Sequence, residues 1–326
     1  MQRFISMVLL AALLAVTSVG CSPRSNSADV KADAKLNIVA TIFPQYDFTR
    51  AIVGDKANLT MLISPGASIH SFDPSPADIL KISNADVFIY IGGESDAWVD
   101  RVLSSMDTSK IKVLRLLDYV KPVEEETVEG MEPEAEEKTG GDSKAQEEEE
   151  PEYDEHVWTS PENAITLINA ISGCLCERDS VNADFYKNNA EYYTGELKKV
   201  DEEIASIIKN ARHKKIVVAD RFPFRYFVDG YGLEYCAAFS GCSDQTDASA
   251  ATIKYLVDTV KKDKIPYVFY AELSNQNVAK AVSEQTGAGM LLLNSCHNVT
   301  KSEFEAGVTY LSLMKQNAEN LRKGLG

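Results

Sequence analysis

Four histidines occur in the 326 residues, at positions 70, 156, 213 and 297. An imidazole works either as an acid–base group near neutral pH or as a nitrogen ligand for a transition metal. Both uses need it held in one place. His70 sits in PGASIHSFDPSPAD, residues 65–78, a loop dense in turn-formers between the apolar run LTMLI and a helix start near Pro76. On that stretch alone an idle, exposed loop histidine explains the residue equally well. His156 lies in DEHVWTSP and His297 in NSCHN, while His213 precedes the apolar run KIVVA. No His-Glu-x-x-His pair or nucleophile elbow accompanies them, so hydrolysis has no visible machinery.

The elements that must position these residues follow from apolar periodicity. LNIVA, LTMLI, DVFIYI and KVLRLL precede an acidic stretch, and KIVVA, LEYCAAF, YVFY and MLLLN follow residue 214. All are short and β-rich without polar alternation, as parallel strands covered on both faces require. Helical stretches fall between them, among them 44–53, 76–82, 248–261 and 276–284. The expected fold is α/β, with two lobes, each a four-stranded parallel sheet flanked by helices. Ser160 with Pro161 makes a helix start between the lobes, a hydroxyl acceptor followed by a residue with no N–H to strand. Residues 182–210 hold no Pro and one Gly, so a helix of about 29 residues, roughly 43 Å, joins the lobes as a backbone. Ligands of open parallel sheets sit beyond the carboxyl ends of the strands. His70, the ADRF segment with Asp220, and His297 all follow strands, and His156 stands just ahead of the middle helix.

The chain opens with Arg3 and an unbroken apolar run from Met7 to Val16. That is short of the roughly 20 residues a spanning helix needs and suits a secretory h-region. TSVGC then resembles a bacterial lipobox, with Cys21 as the lipidated residue and Ser18 where the pattern usually has Leu. Residues 1–21 read as a lipoprotein signal peptide and 22–35 as a flexible tether, so the protein is expected outside the cytoplasm, lipid-anchored to the outer face of the bacterial cell membrane. The net charge of −16 argues against nucleic acid as a partner. Most of it is local: Pro122 to Glu155 holds sixteen acidic residues against two lysines, a net of −14. With no apolar period, 122–155 reads as an acidic disordered loop ending at the His156 motif, either a solvated spacer or a weak collector of cations. The remaining boundaries are an N-terminal α/β lobe at 36–121, helices including the long linking helix at 156–212, and a C-terminal α/β lobe at 213–326.

Two long motifs carry a family resemblance. PGASIHSFDPSPADILKISNADVFIYIG and DEHVWTSPENA resemble the Pro-Gly, Pro-His, Pro-Thr-Pro run and the Asp-Pro-His-Val-Trp-Leu-Asp-Pro run of solute-binding lipoproteins of zinc and manganese ABC importers (cluster A-I). The resemblance covers residues 36–323. It implies a monomeric carrier and no enzyme: high-affinity binding of a divalent transition metal, zinc rather than manganese, and delivery to an ABC permease with its ATPase. It also implies His70 and His156 as ligands. The second half departs, because VVADRFPFRYFVDGYGLEY keeps the aromatic run and YGL but has no His. Counted from the aromatic side, Arg221 takes the ligand's place, and a permanently protonated guanidinium cannot bind a cation. Counted from the strand side with one residue inserted, Asp220 takes it. Asn294 stands near the family's fourth ligand, and His297 is its replacement within the same loop.

The ligand set that the resemblance implies is therefore His70, His156 and His297 with Asp220 fourth, Cys296 or water being the alternatives for the fourth place. Three imidazoles and a carboxylate saturate tetrahedral zinc and leave no position for activated water. Histidine-rich ligation favours zinc over the more oxygen-seeking manganese. Two other classes stand beside the carrier: a secreted zinc-dependent hydrolase, and a metal-dependent adhesin that uses the acidic loop. Cys242 and Cys296 both follow strands, which makes them candidates for a disulfide beside the site.

Overall fold

Runs such as VFIY, with no polar alternation, bury both faces, and that requirement builds the fold. The computed structural model describes residues 35–69, 71–132, 153–243, 245 and 247–326. In chain order these form β1 (Asn37–Ala40), α1 (Phe43–Val53), β2 (Asn58–Met61), α2 (Pro76–Ser83), β3 (Val87–Tyr90), α3 (Trp98–Ser104) and β4 (Lys112–Arg115). Helices α4 (Pro161–Arg178) and α5 (Ala183–Asn210) follow. Then come β5 (Lys215–Arg221), α6 (Arg225–Tyr231), β6 (Glu234–Phe239), α7 (Ala250–Asp263), β7 (Tyr267–Tyr270), α8 (Asn277–Thr286), β8 (Gly289–Leu292), α9 (Lys301–Glu305) and α10 (Tyr310–Leu325).

One sheet has the order β2-β1-β3-β4 and the other β6-β5-β7-β8, and every pairing is parallel. This is the α/β fold expected. The order reverses between β1 and β3 in one sheet and between β5 and β7 in the other, so each sheet opens a crevice at that point, beyond its carboxyl edge. In β5 the pairing to β6 slips by one residue between Val218 and Arg221, a bulge that re-aims the side chains at the strand's end.

Ser160 caps α4 by accepting from the Asn163 N–H at 3.3 Å, with Pro161 in the first turn. Helix α5 runs 28 residues and buries Tyr186, Ala190, Tyr193, Leu197, Val200, Ile204 and Ile208. That three- and four-residue spacing is one helical face, extended over roughly 42 Å. These side chains share a core with Ile38 and Ile89 of the first sheet and Val218 and Phe269 of the second. Asp47 on α1 ties the helices together: its Oδ2 accepts from the Tyr193 hydroxyl at 2.9 Å and the Tyr310 N–H at 2.8 Å. Arg50 pairs with its Oδ1 and also donates to the Val308 carbonyl at 2.8 Å.

The acidic segment corrects one expectation. Residues 122–132 and 153–155 are packed on the fold, not a loose part of a disordered loop: Glu124 bridges Tyr153 in antiparallel fashion, Met131 is buried in the core, and the Glu132 N–H donates to Ala238 O at 2.9 Å. Scattered Val123, Val128 and Met131 anchor it, too sparse a set to show as a period. The expected signal peptide, Cys21, the tether through residue 34, His70 and residues 133–152 lie outside the described residues. Among the described residues no helix is long and apolar enough to cross a membrane.

Candidate metal centre

The loops beyond the strands' carboxyl ends meet around a cleft of about 170 Å³. One wall is Gly66–Ile69, after β2. The other is Arg221 after β5, Gly241 after β6, Ala271–Leu273 after β7, and Ser295, His297 and Asn298 after β8. The space falls below the roughly 300–1,000 Å³ of organic-ligand pockets and suits an ion with its waters. Asn298 clasps the two walls, since its Nδ2 donates to Ser64 O at 3.1 Å and Ala67 O at 2.9 Å. The segment directly before His70 is thereby fixed beside the His297 loop.

Next to His297, His156 is fully buried. Asp154 turns back on it, accepting the His156 N–H at 2.7 Å while its Oδ1 lies 3.1 Å from the ring Nδ1. A carboxylate on one ring nitrogen fixes the tautomer and leaves Nε2 as the nitrogen that could bind a metal. Burial pulls the imidazole's pKa down, but Asp154, by charge and hydrogen bond, and then Glu155 and Glu125 outweigh it, so the net shift is upward. The rings of His156 and His297 stand edge to face with centroids 5.3 Å apart. Trp158 packs on both, at 5.4 Å from His156 and 5.2 Å from His297, and its Nε1–H donates to Ser295 O at 2.8 Å. The indole thus locks two histidines that are 141 positions apart.

A second set of donors shares His156. Ligand atoms of Glu155, His156 and Cys242 all lie within 4.8 Å of one another. Glu155 accepts from the Ser95 N–H at 2.9 Å and from its hydroxyl, and a Cβ on Gly93 would lie 2.7 Å from its Oε2. Gly241 brings the Cys242 loop close to the ring, since a Cβ there would stand a tight 3.1 Å from the His156 Cε1. Glu125 Oε1 holds that loop by accepting from the N–H groups of Gly241 (3.1 Å) and Cys242 (3.4 Å). Burial, and then the charges of Glu155 and Glu125, push the Cys242 thiol up.

The other expected residues separate. Asp220 lines a neighbouring pocket with Gln245 and Asn277, its Oδ1 accepting the Arg221 N–H at 2.9 Å. Arg221 borders both that pocket and the cleft, and Asp220 only the pocket, so past the β5 bulge it is Arg221, not Asp220, that lines the cleft. Asn294 is tied to α10 through its backbone, whose N–H donates to the Asn317 side chain at 2.8 Å and whose carbonyl accepts from it at 2.7 Å, while its side-chain Oδ1 accepts the Cys296 N–H at 2.7 Å. Cys296 is buried at φ 59°, and it and Cys242 are both free thiols, so the disulfide considered for them is not formed. His213 lies ahead of β5, at the opposite end of its sheet.

Sequence reading missed Glu272. It lines the cleft and accepts from the Ser295 N–H at 2.7 Å, the His297 N–H at 3.1 Å and the Ser295 hydroxyl, so it shapes the His297 loop from beneath. Burial pushes its carboxyl up despite these donors. The one available signal was its place directly after the YVFY run, at a strand's carboxyl end.

The chain is similar to known proteins over nearly all of its described length. The family model described as zinc-uptake complex component A periplasmic, ZnuA, matches residues 38–324. The zinc-binding lipoprotein AdcA of Streptococcus pneumoniae (strain ATCC BAA-255 / R6) is 33% identical over 322 residues, 97% of this chain and 60% of that protein. The chain therefore spans about three-fifths of the length of that relative. The high-affinity zinc uptake system protein ZnuA of Bacillus subtilis (strain 168) is 30% identical over 318 residues, 98% of this chain and 96% of that protein. The crystal structure of the Zn(II)-bound ZnuA-like domain of Streptococcus pneumoniae AdcA superposes with a TM-score of 0.72 at 30% identity, covering 90% of this chain and 99% of that one. With a matched span that takes in both sheets and the cleft between their loops, the chain belongs to the ZnuA family of periplasmic zinc-uptake components.

Proposed function

We propose that the protein is a metal carrier: it captures a divalent transition metal, zinc ahead of manganese, outside the cytoplasm and presents it to a membrane ABC permease powered by its ATPase. The proposed ligands are His156 and His297, joined by His70 from the loop that Asn298 clasps; Asp220, facing the neighbouring pocket, is left out of the set. Cys21 is the proposed lipid anchor.

The observation that carries this reading is the His156–His297 pair. Two imidazoles on one tetrahedral zinc, at Zn–N of roughly 2.0–2.1 Å, put their ring centres about 5 Å apart, against 5.3 Å here. The pair is held by Asp154 and Trp158 before any ion arrives, so little ordering remains to oppose binding. The names of the relatives, a zinc-binding lipoprotein and a high-affinity zinc uptake protein, support the same choice of cargo.

Calorimetric titration of the metal-free protein tests it. One tight zinc site is expected, with manganese weaker; a chain that binds neither ion tightly ends the reading. Deleting the gene should slow growth under zinc chelation, and restoring it should reverse that.

A further inference from the structure

We propose that the thiol of Cys242 is a metal ligand supplied by the second sheet, acting with His156 and beside Glu155 in the place where the family resemblance sets a ligand and this chain has Arg221. The inference rests on the carrier reading and fills its fourth place: the sulfur completes a tetrahedron with the three proposed histidines, and Glu155 is the carboxylate bordering that set. Three observations bring the sulfur to the ion. The donor atoms of Cys242, His156 and Glu155 lie within 4.8 Å of one another, and donors on one tetrahedral zinc, at roughly 2.0–2.3 Å from it, stand about 3.3–3.8 Å apart. Closing sulfur and imidazole around an ion thus needs movements of about an ångström. Glu125, on a different segment, fixes the backbone of Gly241 and Cys242 through one carboxylate oxygen. With no side chain on Gly241, that loop packs close to the His156 ring.

On binding, the Cys242 S–H proton leaves to solvent, and the sulfur lone pair forms the metal bond, as thiolate ligation requires. A soft sulfur donor selects zinc, and with it cadmium and copper(I), against manganese. Cys242 therefore sets the specificity of the site as well as its strength.

Cobalt(II), a spectroscopic stand-in for zinc, tests this directly. The full chain loaded with one equivalent should show a thiolate-to-cobalt charge-transfer band in the near ultraviolet, lost in Cys242→Ser and kept in Cys296→Ser. Zinc affinity of Cys242→Ser should fall by about tenfold or more while manganese affinity stays within about threefold. Matching melting curves of the metal-free proteins would establish that the variant folds. Should it not fold, zinc X-ray absorption of the wild type must show a sulfur neighbour, and its absence overturns the proposal. Stoichiometric cobalt without the band, or a band that survives Cys242→Ser, also overturns it and leaves the carrier standing. Failure to bind either cobalt or zinc removes both.

Discussion

The two sheets are wound in the same order, yet the two neighbouring histidines are supported in opposite ways. His156 has its supports within a few positions: Asp154 two residues before it and Trp158 two residues after, with α4 capped at Ser160. His297 depends on distant ones: Glu272 beneath its loop, the indole of Trp158 beside its ring and Asn298 reaching to Ser64 and Ala67. A locally braced ligand keeps its geometry when the rest of the protein shifts. A remotely braced one reports on whether the rest of the protein is in place.

Experiments can break or sharpen that contrast. The largest effect is expected in His156→Ala, with zinc affinity falling about a thousandfold, roughly 4 kcal/mol, against about a hundredfold in His297→Ala. Equal losses in calorimetric titrations would erase the asymmetry. Asp154→Asn should cost about tenfold to a hundredfold, the usual effect of removing a carboxylate that orients a ligating imidazole. A loss smaller than threefold would show that Trp158 alone suffices to hold the ring.

Next in size is a pH effect on the first sheet's side. Asp96 accepts from the N–H groups of Ile91 and Gly92, both at 3.0 Å, and burial, reinforced by the nearby Glu155 charge, raises its pKa to about 6. A carboxyl raised in the folded state stabilises fully below its unfolded pKa, and that contribution is lost as pH climbs through about 6. Asp96→Asn should therefore gain on the order of 1–2 kcal/mol over wild type at about pH 8 and little at about pH 4. Urea melts of the metal-free proteins decide it; a difference independent of pH would mean that burial does not hold Asp96 protonated. The smallest change belongs to the second sheet: Arg221→Gln removes a positive charge from the cleft wall and should raise zinc affinity about threefold at low salt, less at high salt. A drop in affinity would show that the guanidinium supports the site.

The same contrast explains what could be read from the sequence. Eight short apolar runs gave both sheets, and the stretch 182–210, free of Pro, gave a helix found at Ala183–Asn210, because those signals are periodic and local. The brace at Asp154 lay inside a quoted motif for the same reason. Glu272 carries no pattern, being one carboxylate after one strand, and its partners Ser295 and His297 come from another loop. Whether Asp220 or Arg221 meets the cleft turned on one bulge residue in β5, which alternation along a strand cannot register. Cys242 reaches His156 through Gly241 and through Glu125, 117 residues away, inside a segment whose charge disguised its anchors.

The buried stripe on α5 has a mechanical corollary. A rod whose side chains are interlocked with strands of both sheets behaves as a stiff spine and offers no slack joint. Arrival of an ion should then be broadcast by resettling of the rim loops, over distances of about an ångström, and a docking partner would sense the contour of the mouth more than any swing of the halves.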